Sequence, residues 1–260
     1  MLGFLQNRLT QIQSKQSQPA EFGPANKRCY AIGDIHGRFD LLAGLLEKIE
    51  ADIEQREPVE ETFIISLGDL IDRGPDSRSV VEWAHSYNPA HSKFHYIMGN
   101  HEEMLVAGLT QTPDLLPQWL TYGGFECAQS YGLERHTLEG LEPGAIQSAL
   151  IKAIPGPHLS FLKTGMDYIR FGRVILVHAG LRPEIPLEDQ TPKDMRWIRD
   201  DFLSIPLGLD LFVVHGHTPE NDIKIRKNRL GIDSKAYETG ILTAARIEQK
   251  SIECLTFQLD

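Results

Sequence analysis

Thr62-Phe63-Ile64-Ile65-Ser66-Leu67-Gly68-Asp69-Leu70-Ile71-Asp72-Arg73-Gly74 is a short, β-rich apolar run that ends at a glycine and passes into charged residues. A run of that length and composition reads as a strand, and Gly68 allows a tight turn where a side chain would collide. The same construction recurs along the chain. Residues 28–32 (Arg-Cys-Tyr-Ala-Ile) lead into Gly33-Asp34-Ile35-His36-Gly37, and residues 94–98 into Gly99-Asn100-His101-Glu102. Residues 174–177 lead into His178-Ala179-Gly180, and residues 211–214 run up to Gly216-His217-Thr218. Each block pairs glycine with an oxygen or imidazole metal ligand.

Between these strands lie helices. Phe39, Leu42, Ala43, Leu46, Ile49 and Ile53 recur at spacings of three and four, which marks an amphipathic helix. Asp76 or Ser77 can cap another through Val80, Val81 and Trp83. Strands alternating with helices predict an α/β layered fold, in which ligands gather outside the carboxyl ends of the strands. Residues 103–165 interrupt the alternation with helical stretches at 103–109, 119–131 and 145–154, and are expected to form a helical insertion over the site. Residues 242–247 and 252–257 read as a closing hairpin. Residues 1–27 read as a flexible arm: Leu2, Leu5, Leu9 and Ile12 have helical spacing, and a Gln-, Ser-, Pro- and Ala-rich linker follows. The domain itself is expected over residues 28–260.

Composition bounds the function. Apolar residues make up 41% and charged residues 24%, an ordinary globular balance. The formal charge of −10 and the lack of a basic patch argue against a nucleic-acid partner. No apolar run is long enough to span a membrane, and the N-terminus lacks the pattern of a secretory signal. Cys29, Cys127 and Cys254 form neither a zinc pattern nor a disulfide set. A cytoplasmic monomer is the simplest expectation.

An acidic protein that handles phosphate needs a locally positive site, which bound metal supplies. Asp34 and His36, two apart on an extended segment, point the same way and can reach one ion. Asp69 can bridge two, and Asn100, His178 and His217 add an amide oxygen and two imidazoles. Mixed nitrogen and oxygen ligands suit Mn, Fe or Zn better than Mg or Ca, with two Mn²⁺ ions the leading expectation. Two such ions with Asp34, Asp69 and a bridging hydroxide leave a net positive site suited to a phosphate dianion. His101 follows Asn100 directly and is the natural general acid, with Asp72 the carboxylate that keeps it protonated. Arg73 can fork onto phosphate oxygens. His85, His91, His95, His136 and His158 fall outside the blocks and read as structural, and His215 has no assigned role.

These blocks, in this order, resemble the phosphoprotein phosphatase family of metallophosphoesterases, and most closely its bacterial and phage-lambda-type serine/threonine phosphatases. The family patterns Gly-Asp-x-His-Gly, Gly-Asp-x-x-Asp-Arg-Gly, Gly-Asn-His-Glu, His-Ala-Gly and Gly-His-Thr are all present, and the resemblance spans residues 28–247. It implies the calcineurin-like fold, a central β-sandwich flanked by helices. It implies a first metal on Asp34, His36 and Asp69, and a second on Asp69, Asn100, His178 and His217. His101 with Asp72 would be the acid dyad, Arg73 a phosphate ligand, and Arg199, after Trp197, a second one. The late stretch Gly231-Ile232-Asp233-Ser234-Lys235 keeps the Asp of a bacterial Asn-Ile-Asp-Thr-Gly pattern but not its flanking Asn and Gly.

The leading expectation is hydrolysis of phosphoserine or phosphothreonine in proteins by a dimetal-bridging hydroxide, with His101 protonating the leaving oxygen. Related enzymes split diadenosine tetraphosphate symmetrically with the same motifs. Trp119, Tyr122, Phe125 and Tyr131 could stack on a nucleotide, but residues 103–131 contain no Lys or Arg for the extra phosphates, which favours the protein substrate. A non-catalytic phosphate-binding relative is the third reading, disfavoured because every ligand and the acid dyad are intact.

Overall fold

The structure is a computed structural model that describes residues 21–204 and 211–259. The helical spacing at Leu2–Ile12 lies outside the described residues. Two sheets form the centre. The first has five strands in the order β3-β2-β1-β8-β9: β1 (Lys27–Ile32), β2 (Glu61–Ser66), β3 (Lys93–Tyr96), β8 (Ile241–Ile247) and β9 (Ile252–Gln258). The second has four, β4-β5-β6-β7: β4 (Tyr168–Phe171), β5 (Val174–Val177), β6 (Phe212–His215) and β7 (Arg229–Gly231). Strands β1, β2 and β3 are mutually parallel, with Ile32 opposite Ser66 and Ser66 opposite Tyr96. Strands β5, β6 and β7 are parallel as well.

Alternation along the strands builds the layers. Cys29 and Ala31 of β1 meet Val174, Leu176, Val214 and Leu230 in an apolar layer between the sheets. Tyr30 and Ile32 point the other way, onto Leu41, Leu42, Leu45 and Ile49 of α1 (Phe39–Gln55) and Val80 and Val81 of α2 (Ser77–Ser86). The opposite phase of the second sheet, Ile175, Val177 and Val213, packs on Met195, Ile198 and Phe202 of a third layer. The sandwich flanked by helices is therefore present, and β8 and β9 are the expected hairpin.

Helices fill the stretch between β3 and β4: α3 (Asn100–Thr110), α4 (Leu116–Trp119), α5 (Phe125–Ser130), α6 (Arg135–Leu138), α7 (Pro143–Ala153) and α8 (Gly156–Leu162). The single helix read over 119–131 is broken. A wide turn spans Leu120–Gly124 and Gly123 adopts φ 108°, a backbone that only glycine takes easily. Two short helices, α9 (Pro192–Trp197) and α10 (Asp200–Ser204), and a single helical turn, α11 (Ala236–Thr239), complete the described α-helices. Strands β4 and β7, at the edges of the second sheet, are not among the strands read from the sequence.

Residues 21–26 differ from the expected linker. Phe22 N–H donates to Gln249 O at 2.7 Å, Gly23 N–H to Glu248 O at 3.1 Å, and the Phe22 ring meets Phe212 edge-on at 5.2 Å. The apolar face of Phe22 outweighs the polar composition around it. Among the described residues no helix is long and apolar enough to cross a membrane.

Candidate active site

Parallel strands place their carboxyl ends together, so the five sequence blocks converge. Asp34 and His36 follow β1, Asp69 follows β2, Asn100 and His101 open α3 after β3, His178 follows β5 and His217 follows β6. Asp233, just beyond β7, joins them. All are buried. The backbone is strained where they meet: His36, Asp69, Asp72, Arg73 and His217 all have φ between 46° and 75°. Non-glycine residues hold that conformation only when their surroundings impose it, and such residues cluster at functional sites. Gly99 and Gly216 are needed for a different reason, since a Cβ at Gly99 would collide with Asp69 and one at Gly216 with the Asp34 carboxylate.

Asp69 is the hub. Its carboxylate lies 3.5 Å from His36 Nε2, 3.4 Å from His178 Nε2 and 3.9 Å from His101 Nε2. Two groups of potential ligands, each with its atoms within 4.8 Å of one another, share it: His36, Asp69 and His101, and Asp69, His178 and His217. Asn100 Oδ1 belongs with the second group, 2.9 Å from His178 Nε2 and 2.8 Å from His217 Nδ1. Asp34 accepts the His217 N–H at 2.9 Å and stands beside Asp233 and Asp69.

The donor set fits divalent cations. Nδ1–H donation from His36 to Ile71 O (2.8 Å) and from His178 to Leu67 O (2.9 Å) turns each Nε2 lone pair toward the site. Burial pushes His36 and His178 below the usual imidazole range, and His217 to about 2, which favours the neutral form that coordinates metal. His217 Nε2 is buried with no hydrogen-bond partner among the described residues. Burial, then the charges of Asp233 and Asp69, raise the Asp34 carboxyl well above its ordinary value. Three buried carboxylates with three neutral imidazoles leave negative charge that a bound cation would neutralise.

Beside this group stands the pair His101 and Asp72, with Nδ1 to Oδ2 at 2.6 Å. Burial lowers the His101 pKa, but Asp69 and Asp72 outweigh it and the net shift is upward. Arg73 reaches Nε2 of His36 and Nε2 of His101, both at 3.0 Å. Its guanidinium lies 4.9 Å from the Tyr237 ring, which also meets His36 edge-on at 5.3 Å. Arg199 is exposed at the turn from α9 into α10, and its charge acts on His178 and His217. No hydrogen bond from its side chain is present among the described residues.

Four features were not legible in the motifs. Glu102, quoted in its block without a role, receives four backbone N–H groups: Asp69 (3.0 Å), Leu70 (2.8 Å), Ile71 (3.2 Å) and Gly99 (3.0 Å). It holds the Asp69 turn against the start of α3. Trp119 and Tyr131, read as stacking partners, are buried: Trp119 Nε1–H donates to Asp72 and Tyr131 bonds His158 at 2.9 Å. Tyr237, two residues past the altered late stretch, reaches Arg73. Arg135 supplies the cation whose absence from 103–131 argued against a nucleotide, folding back to 4.0 Å from the Phe125 ring. His158 has the structural role expected of it, bridging Tyr131 and Glu82. His215 is buried against the Phe202 ring at 5.1 Å.

A model of the calcineurin-like phosphoesterases matches residues 27–247. The chain belongs to this family. Bis(5'-nucleosyl)-tetraphosphatase PrpE [asymmetrical] of Bacillus subtilis is 25% identical over 236 residues, covering 84% of this chain and 90% of that protein. Serine/threonine-protein phosphatase 1 of Salmonella typhimurium is 33% identical over 98 residues, covering 38% of this chain and 39% of that protein. A crystal structure described as a candidate diadenosine tetraphosphatase superposes with a TM-score of 0.62 at 20% identity, over 91% of this chain and 96% of that one, and supports the fold. A calcineurin-like phosphoesterase is a metal-dependent hydrolase with a dinuclear centre, and the converging His and Asp side chains could hold its ions.

Proposed function

We propose that this phosphoesterase hydrolyses the phosphoanhydride chain of a dinucleoside polyphosphate, with Asp34, His36 and Asp69 holding one divalent ion and Asp69, Asn100, His178 and His217 the other. Bound ions of this kind supply a nucleophile ionised near neutrality and charge to hold the phosphate oxygens. Arg73 presents two N–H groups toward the same space and is placed to fork onto those oxygens. Arg199, exposed at the rim, adds a second cation. His101, fixed through Nδ1 on Asp72 and with its pKa raised by Asp69 and Asp72, accepts at Nε2 from Arg73; once Arg73 turns onto the phosphate oxygens, that Nε2 is free to carry the proton for the leaving oxygen. Mn²⁺ fits the mixed donor set.

The observation that carries the reaction class is Arg73 bridging His36, in the ligand group, and His101, in the acid pair. The substrate class rests on likeness along the whole domain to the Bacillus enzyme. The second reading is a phosphoserine or phosphothreonine substrate, favoured by the shorter but more identical match to the Salmonella phosphatase. Mn²⁺-loaded protein should show a kcat/KM on diadenosine tetraphosphate at least 100-fold above that on a phosphothreonine peptide. The opposite order establishes the second reading, and no turnover of either defeats both.

A further inference from the structure

Beside Arg73 lies a broad open groove of about 710 Å³. It is lined by Tyr122, Gly123, Phe125, Arg135 and Tyr237. A second depression of about 290 Å³ continues it past Arg73 toward Ser130. This composition is unusual for an acidic protein. Three aromatic rings and two arginines border one space, and Tyr122 is 46% exposed there although it is large and apolar. Tyr237 is already stacked with one arginine and Phe125 with the other, so both rings present faces with a cation beside them. The turn is pinned in place, since Arg73 N–H donates to Gly123 O at 3.0 Å and a Cβ at Gly123 would meet Arg73 at 2.6 Å.

We infer that this groove seats the base and sugar of a nucleoside whose phosphate chain passes over Arg73 into the metal centre. The inference rests on the proposed nucleotide reading and adds where the nucleoside binds. A flat base has a π-face for Tyr122 or Phe125 whatever its sequence identity, and stacked aromatics are the common solution for holding bases without a paired strand. Arg135 lies on the exposed side, able to meet a phosphate oxygen beyond the one that reacts. Glu126 and Glu139 border the same space and can accept from the exocyclic amino group of adenine, guanine or cytosine. A peptide segment would gain less: the groove offers two carboxylates near its arginines and little buried apolar area.

The test uses the Mn²⁺-loaded full chain and the variants Tyr122→Ala, Tyr122→Phe and Arg135→Ala. Tyr122 is exposed and its substitution spares the core. ADP binding is read by calorimetry, and turnover is read on diadenosine tetraphosphate and on a phosphothreonine peptide. One stacked base is commonly worth roughly five- to a hundredfold in affinity. Tyr122→Ala should weaken ADP about tenfold and raise KM on the dinucleotide similarly, with kcat and the peptide reaction within about twofold of wild type. Tyr122→Phe should restore binding. Unchanged ADP affinity in Tyr122→Ala, or a loss confined to the peptide, overturns the inference. Binding is scored separately from turnover, so a wild-type enzyme that binds ADP through Tyr122 yet does not cleave the dinucleotide defeats the proposed reaction and supports the groove.

Discussion

Trp119 Nε1–H donates at 2.8 Å to Asp72 Oδ2, the same oxygen that His101 Nδ1 reaches at 2.6 Å. The helical segment after α3 is thereby tied to the acid pair by one shared carboxylate oxygen, while Asp72 Oδ1 is buried with no hydrogen-bond partner among the described residues. Two donors on one oxygen fix the carboxylate plane and hence the direction of the His101 ring. Trp119→Phe keeps most of the apolar bulk and removes the donor. It should lower kcat by about 10-fold, in line with losses when a group orienting a functional imidazole is removed, with little change in far-UV circular dichroism. Wild-type kcat in this variant would show that the bond is structural only.

Glu102 carries the Asp69 turn on four backbone N–H groups. Glu102→Gln keeps the size and replaces one acceptor oxygen with a donor that faces backbone N–H. Metal affinity should fall by about 10- to 100-fold, as for other groups that orient ligands. Titration of metal-free protein with Mn²⁺ by calorimetry reads this without any substrate, and an unchanged affinity refutes the positioning role.

His101 should matter differently to different leaving groups. A serine or threonine alkoxide needs a proton, whereas a terminal phosphate has a second pKa of about 6 and leaves as the anion. His101→Asn should cost about 10²- to 10⁴-fold on a phosphothreonine peptide and markedly less on diadenosine tetraphosphate. Equal losses on both substrates argue that His101 positions rather than protonates.

Asp34 is expected to be destabilising in the absence of metal. Burial, Asp233 and Asp69 together raise its carboxyl, so the ionised form opposes folding. Asp34→Asn should raise the Tm of metal-free protein by about 2–4 °C and should abolish the further rise that Mn²⁺ gives the wild type. A lower Tm for the metal-free variant counts against the account.

Far from the site, Asp52 accepts from Tyr30 Oη at 2.6 Å, Arg56 Nε at 3.0 Å and Arg246 Nη1 at 2.9 Å. Burial raises its pKa, but these donors prevail and hold it below the ordinary 3.8. A depressed carboxyl stabilises the fold above its unfolded value, and that stability is lost as pH falls through the folded value. Asp52→Asn should cost about 1–3 kcal/mol at pH 7, measured by urea unfolding. The gap from wild type should close below pH ~4, and a gap that persists in acid is the contrary result.

The sequence by itself determined the strands that end in ligands, and with them the α/β class. Apolar runs such as 62–67 are local signals, and parallel strands force their carboxyl ends together wherever the helices between them pack. Asp34, His36, Asp69, Asn100, His178 and His217 were therefore legible as a group before any coordinate was known. What only the tertiary structure decided depends on contacts remote in sequence. Trp119 meets Asp72 across 47 positions, Tyr237 meets Arg73 from beyond β7, and Arg135 returns to Phe125 because the chain reverses after α5, where Gly132 adopts φ 87°. No spacing rule encodes such pairs, since each is set by how independently formed helices dock. For the same reason Trp119 and Tyr131, aromatic and near the site in sequence, are buried core members, while Tyr122 between them faces the groove.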